Sequence, residues 1–358
     1  MRCRKRRAAR KKDNKREQWQ QEEGLVIGVD LGDKESQVCV LGADKEIRHE
    51  VRVGTTTPRL QQWFAALKPC MVVMEAGSHS PWVSRLLEEL GHGVVVCDPR
   101  RLKLISQSDS KNDRADARML ARVAAGMPEL LRVVKHRSAE AQKDLTVIRS
   151  RARLVEARTK LWCSLRGLSK SLGHRLPRRV KEESLGEWGE ILKPLWNAVQ
   201  DVSQRIEEYD EKVQELEKKY PAAVRLQQIS GVGPLISLTF VLTLDDHLRF
   251  GKSRQIGAYL GLRPRQRDSG EQQPQLRITK AGDRYLRSLL IQGAQYILGR
   301  GPDTDLKRWG LRLAARGGKN AKKRAVVAVA RKLAVLLHRM WVDQSKYEPL
   351  RQSRSTAA

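Results

Sequence analysis

Acid is what this sequence lacks most: 41 aspartates and glutamates face 70 lysines and arginines, a formal net charge of +29 over 358 residues. Repulsion on that scale opposes a compact state unless a polyanion supplies countercharge. Nucleic acid does so with the added gain of counterion release. Charge names a partner class and no activity, since a ribosomal or chromatin protein would be as basic. Cysteine is sparse as well. Cys3, Cys39, Cys70, Cys97 and Cys163 are isolated, odd in number and without a CxxC pair, which argues against a disulfide framework or a zinc site and suits a reducing cytosol. Cys39, Cys70 and Cys97 lie in apolar strand-like runs, where a thiol behaves as a small hydrophobe. The seven histidines are scattered, with no HExxH and no His/Cys cluster, so zinc hydrolysis is disfavoured. No apolar run reaches membrane-spanning length, and the basic start leads into polar QWQQEE rather than the apolar core of a signal peptide. The expectation is a soluble, cytoplasmic protein with no membrane partner.

Residues 1–22 read as a basic, disordered tail that adds electrostatic grip. From Gly24 the texture changes. LVIGVD (25–30), SQVCVLG (36–42) and EIRHEVRV (46–53) are β-rich and separated by turn residues, which predicts a three-strand antiparallel meander. PRLQQWFAALK (58–68) has helical spacing, MVVME (71–75) is a buried strand, and PWVSRLLEELG (81–91) is a helix stopped by glycine. GVVVCDP (93–99) is another strand and RADARMLARVAAG (114–126) another helix. The order β-β-β-α-β-α-β-α is that of an RNase H-like α/β domain, placed at residues 23–130.

Residues 138–220 differ in kind. Leu145, Ile148, Ala152, Val155, Thr159 and Trp162 alternate by three and four, as do Leu195, Val199, Val202, Ile206, Tyr209, Val213, Leu216 and Tyr220. Such steps predict two long helices packed as an antiparallel or intermolecular coiled coil, with 173–189 as the loop between them. Residues 221–345 form a second, mainly α-helical domain, followed by a flexible tail at 346–358. In ISGVGPLIS (229–237), Gly231 and Gly233 have the look of a helix-hairpin-helix turn. Its exposed N–H groups would meet a phosphate; a plain glycine turn between core helices is the competing account. The segment has no GK[ST] and no Rossmann spacing, so it is no nucleotide loop.

Carboxylates carry the chemistry. Asp30 ends the first strand, Glu75 ends the fourth, and Asp113 and Asp116 open the helix after the fifth. Strand ends on one sheet edge converge, and helix positions three apart share a face. Four acids gathered in one place repel unless cations lie between them. Hard oxygen donors favour Mg²⁺ or Mn²⁺, which keep waters and accept phosphate oxygens. Two such ions would activate a nucleophile and stabilise a leaving oxygen. Taken singly, an Asp at a strand end is a turn residue and Asp113 a helix cap; the combination is what points to metal. Asp33, Asp98 and Asp109 are set aside as turn, pre-proline and loop residues.

GVDLGDKESQVCVLG, VVMEAGSHSPWVSRLLEELGHGVVVCDP and KNDRADARMLA resemble the amino-terminal domain of the Piv-invertase-like insertion-sequence transposases, the DEDD recombinases with a RuvC-like domain. The region from ISGVGPLIS to LRSLLIQGA is similar to their carboxy-terminal transposase domain. The third acidic motif usually reads KTD; here it is KND, which keeps the acid. The resemblance implies Asp30, Glu75, Asp113 and Asp116 as the catalytic, metal-holding acids and Ser269, in RPRQRDSGE, as the nucleophile. It also implies DNA as substrate, a homo-oligomer (dimer or tetramer), and, for some members, a structured guide (bridge) RNA that chooses donor and target.

Read without the family, Ser269 is a serine in a polar turn. Arg263, Arg265 and Arg267 precede it, and Arg277, Lys280, Arg284 and Arg287 follow, the last three at helical spacing. A serine attacking a phosphodiester needs its proton removed and cations against the developing charge. The segment has the cations and no neighbouring histidine, so the expected base or metal comes from the DEDD acids. Three readings stay open: a transposase or site-specific recombinase, a Holliday-junction-type nuclease working through the acids alone, and a non-catalytic nucleic-acid-binding protein.

Overall fold

The computed structural model describes residues 19–98, 112–269, 272, 274 and 276–351. The chain forms two compact units, residues 1–136 and 137–358. Asp109 and residues 1–18 and 352–358 of the expected tails fall outside the described residues.

The first unit is built on a five-stranded sheet in the order β3-β2-β1-β4-β5. Its strands are β1 (Val26–Asp30), β2 (Glu35–Leu41), β3 (Ile47–Gly54), β4 (Met71–Glu75) and β5 (Gly93–Cys97). The first three form the expected antiparallel meander, while β4 and β5 join in parallel. This mixed order is consistent with an RNase H-like domain. Strand residues alternate between faces, and the two faces carry different helices. Ile27, Val29, Val72, Met74 and Val96 pack against Leu60 and Phe64 of α1 (Thr57–Phe64) and Val83 and Leu87 of α2 (Ser80–Glu89). Proline opens both helices at a position that needs no N–H, and α2 is followed by Gly91 at φ 87°. On the opposite face, Val73 and Cys97 pack with Leu120, Val123 and Ala124 of α3 (Asp113–Gly126), and Cys39 and Leu41 with its Ala117 and Ala121.

Trp19, assigned by sequence to the disordered tail, is buried in this core and stacked on His49 at 5.2 Å between ring centres. Tail-like composition there reflects the charged residues before it, and the indole is what folds back.

The second unit opens with two long helices, α4 (Ala139–Ser171) and α5 (Gly189–Lys219), paired along their length. Ser138 caps α4 by accepting from the Ala141 N–H at 3.1 Å. Arg151 grips Asp210 through two bonds of 2.6 and 3.0 Å. Of the six α4 positions in the expected seam, only Leu145 and Ile148 are buried. Those two belong to the core of the following helices, with Leu226, Ile229 and Leu290, and a separate cluster closes the far end of the pair. Between them α4 is half-covered, because one partner helix shields only one side of it.

That core surrounds α7 (Pro234–Leu244), preceded by α6 (Pro221–Leu226). From Ile236 to Leu244 every residue of α7 is buried, the pattern of a central helix apolar all round. Around it lie α8 (Gln255–Tyr259), α9 (Arg284–Leu298), α10 (Asp305–Ala315) and α11 (Ala321–Asp343). The segment expected as a flexible tail packs back: Tyr347 donates its N–H to Gln228 at 2.9 Å, and the Pro349 carbonyl accepts from Asp305.

Candidate active site

Strand register brings Asp30 and Glu75 together. Val29 pairs with Met74 in the parallel β1–β4 ladder, so the next residues of each strand, Asp30 and Glu75, end them side by side. Period-two alternation places Asp30 on the face of Gly28, and Glu75 on the face of Val73. Both are therefore on the α3 face. A Cβ on Gly28 would lie 2.1 Å from the Ala117 carbonyl oxygen and 2.6 Å from the Ala121 nitrogen, so α3 crosses β1 directly on that glycine. Asp116 adjoins Ala117 and Asp113 is one turn earlier, while Asp30 is two residues, roughly 6–7 Å, beyond Gly28. Asp30 and Glu75 thus end adjoining strands side by side, and the turn of α3 that bears Asp113 and Asp116 leads into the crossing at Gly28.

Asp113 is not the cap of α3. Asn112 is, its side chain accepting from the Arg114 N–H at 3.0 Å. Asp113 is exposed and Asp116 half-buried. The neighbouring cations are taken up elsewhere: Arg114 and Arg118 both bond Glu50 of β3, with distances of 2.9 and 2.7 Å. Hydrogen bonding from Arg118, followed by that from Arg114, holds the Glu50 carboxyl down at about 2. Sequence reasoning missed Glu50, since only the fold brings β3 alongside α3.

The loops after β1 and β4 also meet. His79 Nε2 stands 3.4 Å from Asp33 Oδ1, and Gly77 donates to Ser80 Oγ, which lies 3.0 Å from His136 Nε2. Beside Glu75 in the β4–β5 ladder is Cys97. Burial, and then the charge of Glu75, pushes its thiol up to about 12, and its Sγ donates to the Met74 carbonyl at 3.1 Å. The donors at this edge are hard carboxylate oxygens, the chemistry that suits Mg²⁺ or Mn²⁺. Among the described residues no three His, Cys, Asp or Glu side chains come close enough to hold one ion together. Cys39 and Cys70 are likewise buried thiols, raised by burial to about 11 and 12.

Ser269 stands at the end of a hairpin in the second unit. Ser269 and Gln272 exchange backbone hydrogen bonds of 3.2 and 3.1 Å, and Arg265 donates its N–H to Arg277, as Thr279 does to Arg263. Ser269, Arg265, Arg267, Arg277, Lys280 and Arg284 are exposed. None of these five cations makes an ion pair within the described residues. Two expectations fail here. Lys280 has φ 56° and precedes the helix, which begins at Arg284 behind the Asp283 cap, so the three cations share no helix face. Arg287 is buried, only 8% exposed, and donates to the carbonyls of Leu260 and Ala281 at 3.0 and 2.7 Å. It ties the base of the hairpin down and does not face a ligand.

Gly231 and Gly233 line a cleft of about 400 Å³ with Gln227, Gln292 and Tyr296. Gly231 has φ 93°, and a Cβ there would lie 2.9 Å from the Tyr296 ring and 3.2 Å from the Gly293 carbonyl. Its small size serves packing against α9. Gly233 is exposed with nothing within 4 Å of an added Cβ, so it is the open position of the pair.

Comparison with known proteins gives two family matches. A family model described as transposase of the IS116/IS110/IS902 family matches residues 223–307, and a DEDD-type transposase model matches residues 27–172. The second covers all four acids; the first covers both glycines and Ser269. A probable family 20 transposase of Pseudomonas aeruginosa is 32% identical over 340 residues, spanning 90% of this chain and 98% of the relative. The transposase for insertion sequence element IS1111A of Coxiella burnetii is 31% identical over 90% of this chain and 91% of its own length. The transposase for insertion sequence element IS1328 of Yersinia enterocolitica is 27% identical, spanning 77% and 84%.

Proposed function

The chain belongs to the IS116/IS110/IS902 family of transposases, and from that premise we propose that it cuts and exchanges DNA strands through the hydroxyl of Ser269, assisted by a divalent cation at Asp30, Glu75, Asp113 and Asp116. Family membership establishes the coarser statement: a DNA-cleaving and rejoining enzyme with a DEDD transposase domain, which implies a divalent metal. Among the described residues no helix is long and apolar enough to cross a membrane.

The observation that carries the proposal is the exposed place of Ser269 at the end of a hairpin whose exposed cations make no ion pair among the described residues. Ser269 Oγ bonds to phosphorus and a sugar oxygen leaves with the proton as a free hydroxyl. The hydroxyl of the incoming strand then attacks the phosphoserine and releases the serine. Arg265, Arg267, Lys280 and Arg284 hold the phosphodiester and stabilise charge on its oxygens, with Gly233 a further backbone contact. Asp30, Glu75, Asp113 and Asp116 are the residues that would hold Mg²⁺ or Mn²⁺, which would supply Lewis-acid stabilisation of that charge.

Ser269→Ala should abolish covalent protein–DNA adducts while leaving DNA affinity within about twofold. Adducts that persist in this variant refute the nucleophile. Cleavage by the wild type with no adduct at any time favours the acid-only nuclease.

A structured guide RNA is the second proposed partner, supported by the +29 charge. A discrete RNA transcribed beside the gene should co-purify with the protein, and its absence removes the RNA from the mechanism. The half-covered α4 residues Leu154, Val155 and Leu161 support self-association as a dimer or tetramer through a coiled coil. A monomeric mass in solution would exclude it.

A further inference from the structure

The far end of the α4–α5 pair carries charge of one sign. Between Ala157 and Lys181 the chain has eight lysines and arginines and no aspartate or glutamate. Toward the other end of the same helices cations are paired: Arg149 with Asp283, Arg151 with Asp210, Lys219 with Glu140 and Asp144. At the far end Lys170, Arg175, Arg178, Arg179 and Lys181 are exposed, and none has an ion pair among the described residues. Acids resume only at Glu182, which is bonded to Lys193 at 2.6 Å.

These cations stand on a built scaffold. Leu165, Leu176, Leu185, Leu192 and Trp196 form a buried cluster of their own. Ser169 Oγ donates to the His174 carbonyl at 2.6 Å, and His174 Nε2 lies 2.7 Å from the Ser184 carbonyl. Arg166 donates to the carbonyls of Pro177 and Arg178 at 3.3 and 3.0 Å. Reversing the chain requires the apolar cluster and these bonds, and it does not require the cations. Like charges held this close raise the energy of the free protein, and a polyanion is what relieves them. Guanidinium groups match phosphate oxygens in geometry.

The spacing adds a second constraint. Arg149 bonds Asp283, the cap of α9 three residues past Lys280, so it marks on α4 the level of the hairpin's base. From Arg149 to Leu172 the helix rises about 35 Å at 1.5 Å per residue. One turn of B-form duplex is about 34–36 Å.

We infer that the far end of the α4–α5 pair is a second contact for the phosphodiester backbone of a duplex, about one helical turn from the base of the serine hairpin. The inference rests on the chain being a nucleic-acid enzyme and not on which residue attacks, so adduct formation by Ser269 and the binding measured below fail independently. The test uses the full-length protein without divalent cation and compares Arg175→Gln/Arg178→Gln/Arg179→Gln/Lys181→Gln with wild type. Affinity is measured against salt for DNA duplexes of about 15 and about 30 base pairs, and for an RNA duplex of the longer size. Wild type should show a steeper salt slope on the longer duplex, and the variant should lose roughly 3 units of that slope. Loss on DNA alone or on RNA alone names the source of the backbone, and equal slopes for both proteins on every duplex overturn the contact. Arg175→Lys/Arg178→Lys/Arg179→Lys should keep the wild-type slope, and if it falls as far as the glutamine variant the electrostatic account is wrong.

Discussion

The acid edge of the first unit and the serine hairpin of the second are positioned by different means. Asp30 and Glu75 are fixed by the β1–β4 ladder and cannot separate without breaking backbone hydrogen bonds. Ser269 is held by one reciprocal backbone pair and a few rungs behind it. Their treatment of cations is also opposite. Beside the acids, Arg114 and Arg118 are occupied by Glu50; on the hairpin, the exposed cations make no ion pair among the described residues. On the proposed function, carboxylates that must stay available to a metal have the competing side-chain cations drawn aside. On the same proposal, cations are left exposed where a phosphate would land.

The largest expected effect tests the first half of that contrast. Asp30→Asn keeps the shape and removes one charge, so strand cleavage should fall on the order of 10³-fold, the equivalent of several kcal/mol of lost charge stabilisation. Duplex affinity should stay near wild type, because the hairpin is untouched. Unchanged cleavage would end the metal hypothesis and leave a basic binding protein. Next in size is Arg287→Met, which strips two buried carbonyls of their donor. The cost should be about 2 kcal/mol of stability, read as a lower melting temperature and faster amide exchange in residues 261–280. A fall in DNA affinity with no loss of stability would instead return Arg287 to the ligand face.

Much of this was legible from sequence where the signal is local. The five strands and the helices of the first unit follow from apolar alternation and glycine or proline punctuation, and Asp30 and Glu75 from their places at strand ends. What was hidden depends on partners distant in the chain. Gly28 is an ordinary strand residue until α3 crosses it, and Glu50 is an ordinary charge until Arg114 and Arg118 arrive. Arg287 was misplaced because three-and-four spacing from Lys280 presumes one helix, whereas the Asp283 cap starts α9 after Lys280. Trp19 sits beside a run of charge that masks one buried side chain. The long spacing in α4 foretold a continuous seam, yet burial is confined to its ends, where neighbours beyond α5 supply the second wall.

The smallest expected effect concerns Glu50, and it sharpens the idea that the fold draws cations away from the acids. Its carboxyl is held at about 2 instead of its ordinary 4.5 by hydrogen bonds from Arg118 and then Arg114. A carboxyl depressed in the folded state stabilises that state fully above its unfolded value, and the contribution fades as pH falls through the folded one. The window is therefore from about 4.5 down to about 2. Because both arginines are partly exposed, solvent screening keeps the contribution small. Protection of the β1 and β2 amides, taken relative to their intrinsic exchange rate at each pH, should fall across that window in wild type and change less in Glu50→Gln. At neutral pH the same variant should also weaken cleavage, since Arg114 and Arg118 are released next to Asp113 and Asp116 and compete for them. Cleavage unchanged in Glu50→Gln, with exchange of the β1 amides accelerated, would make Glu50 a brace for α3 alone and remove the electrostatic half of the contrast.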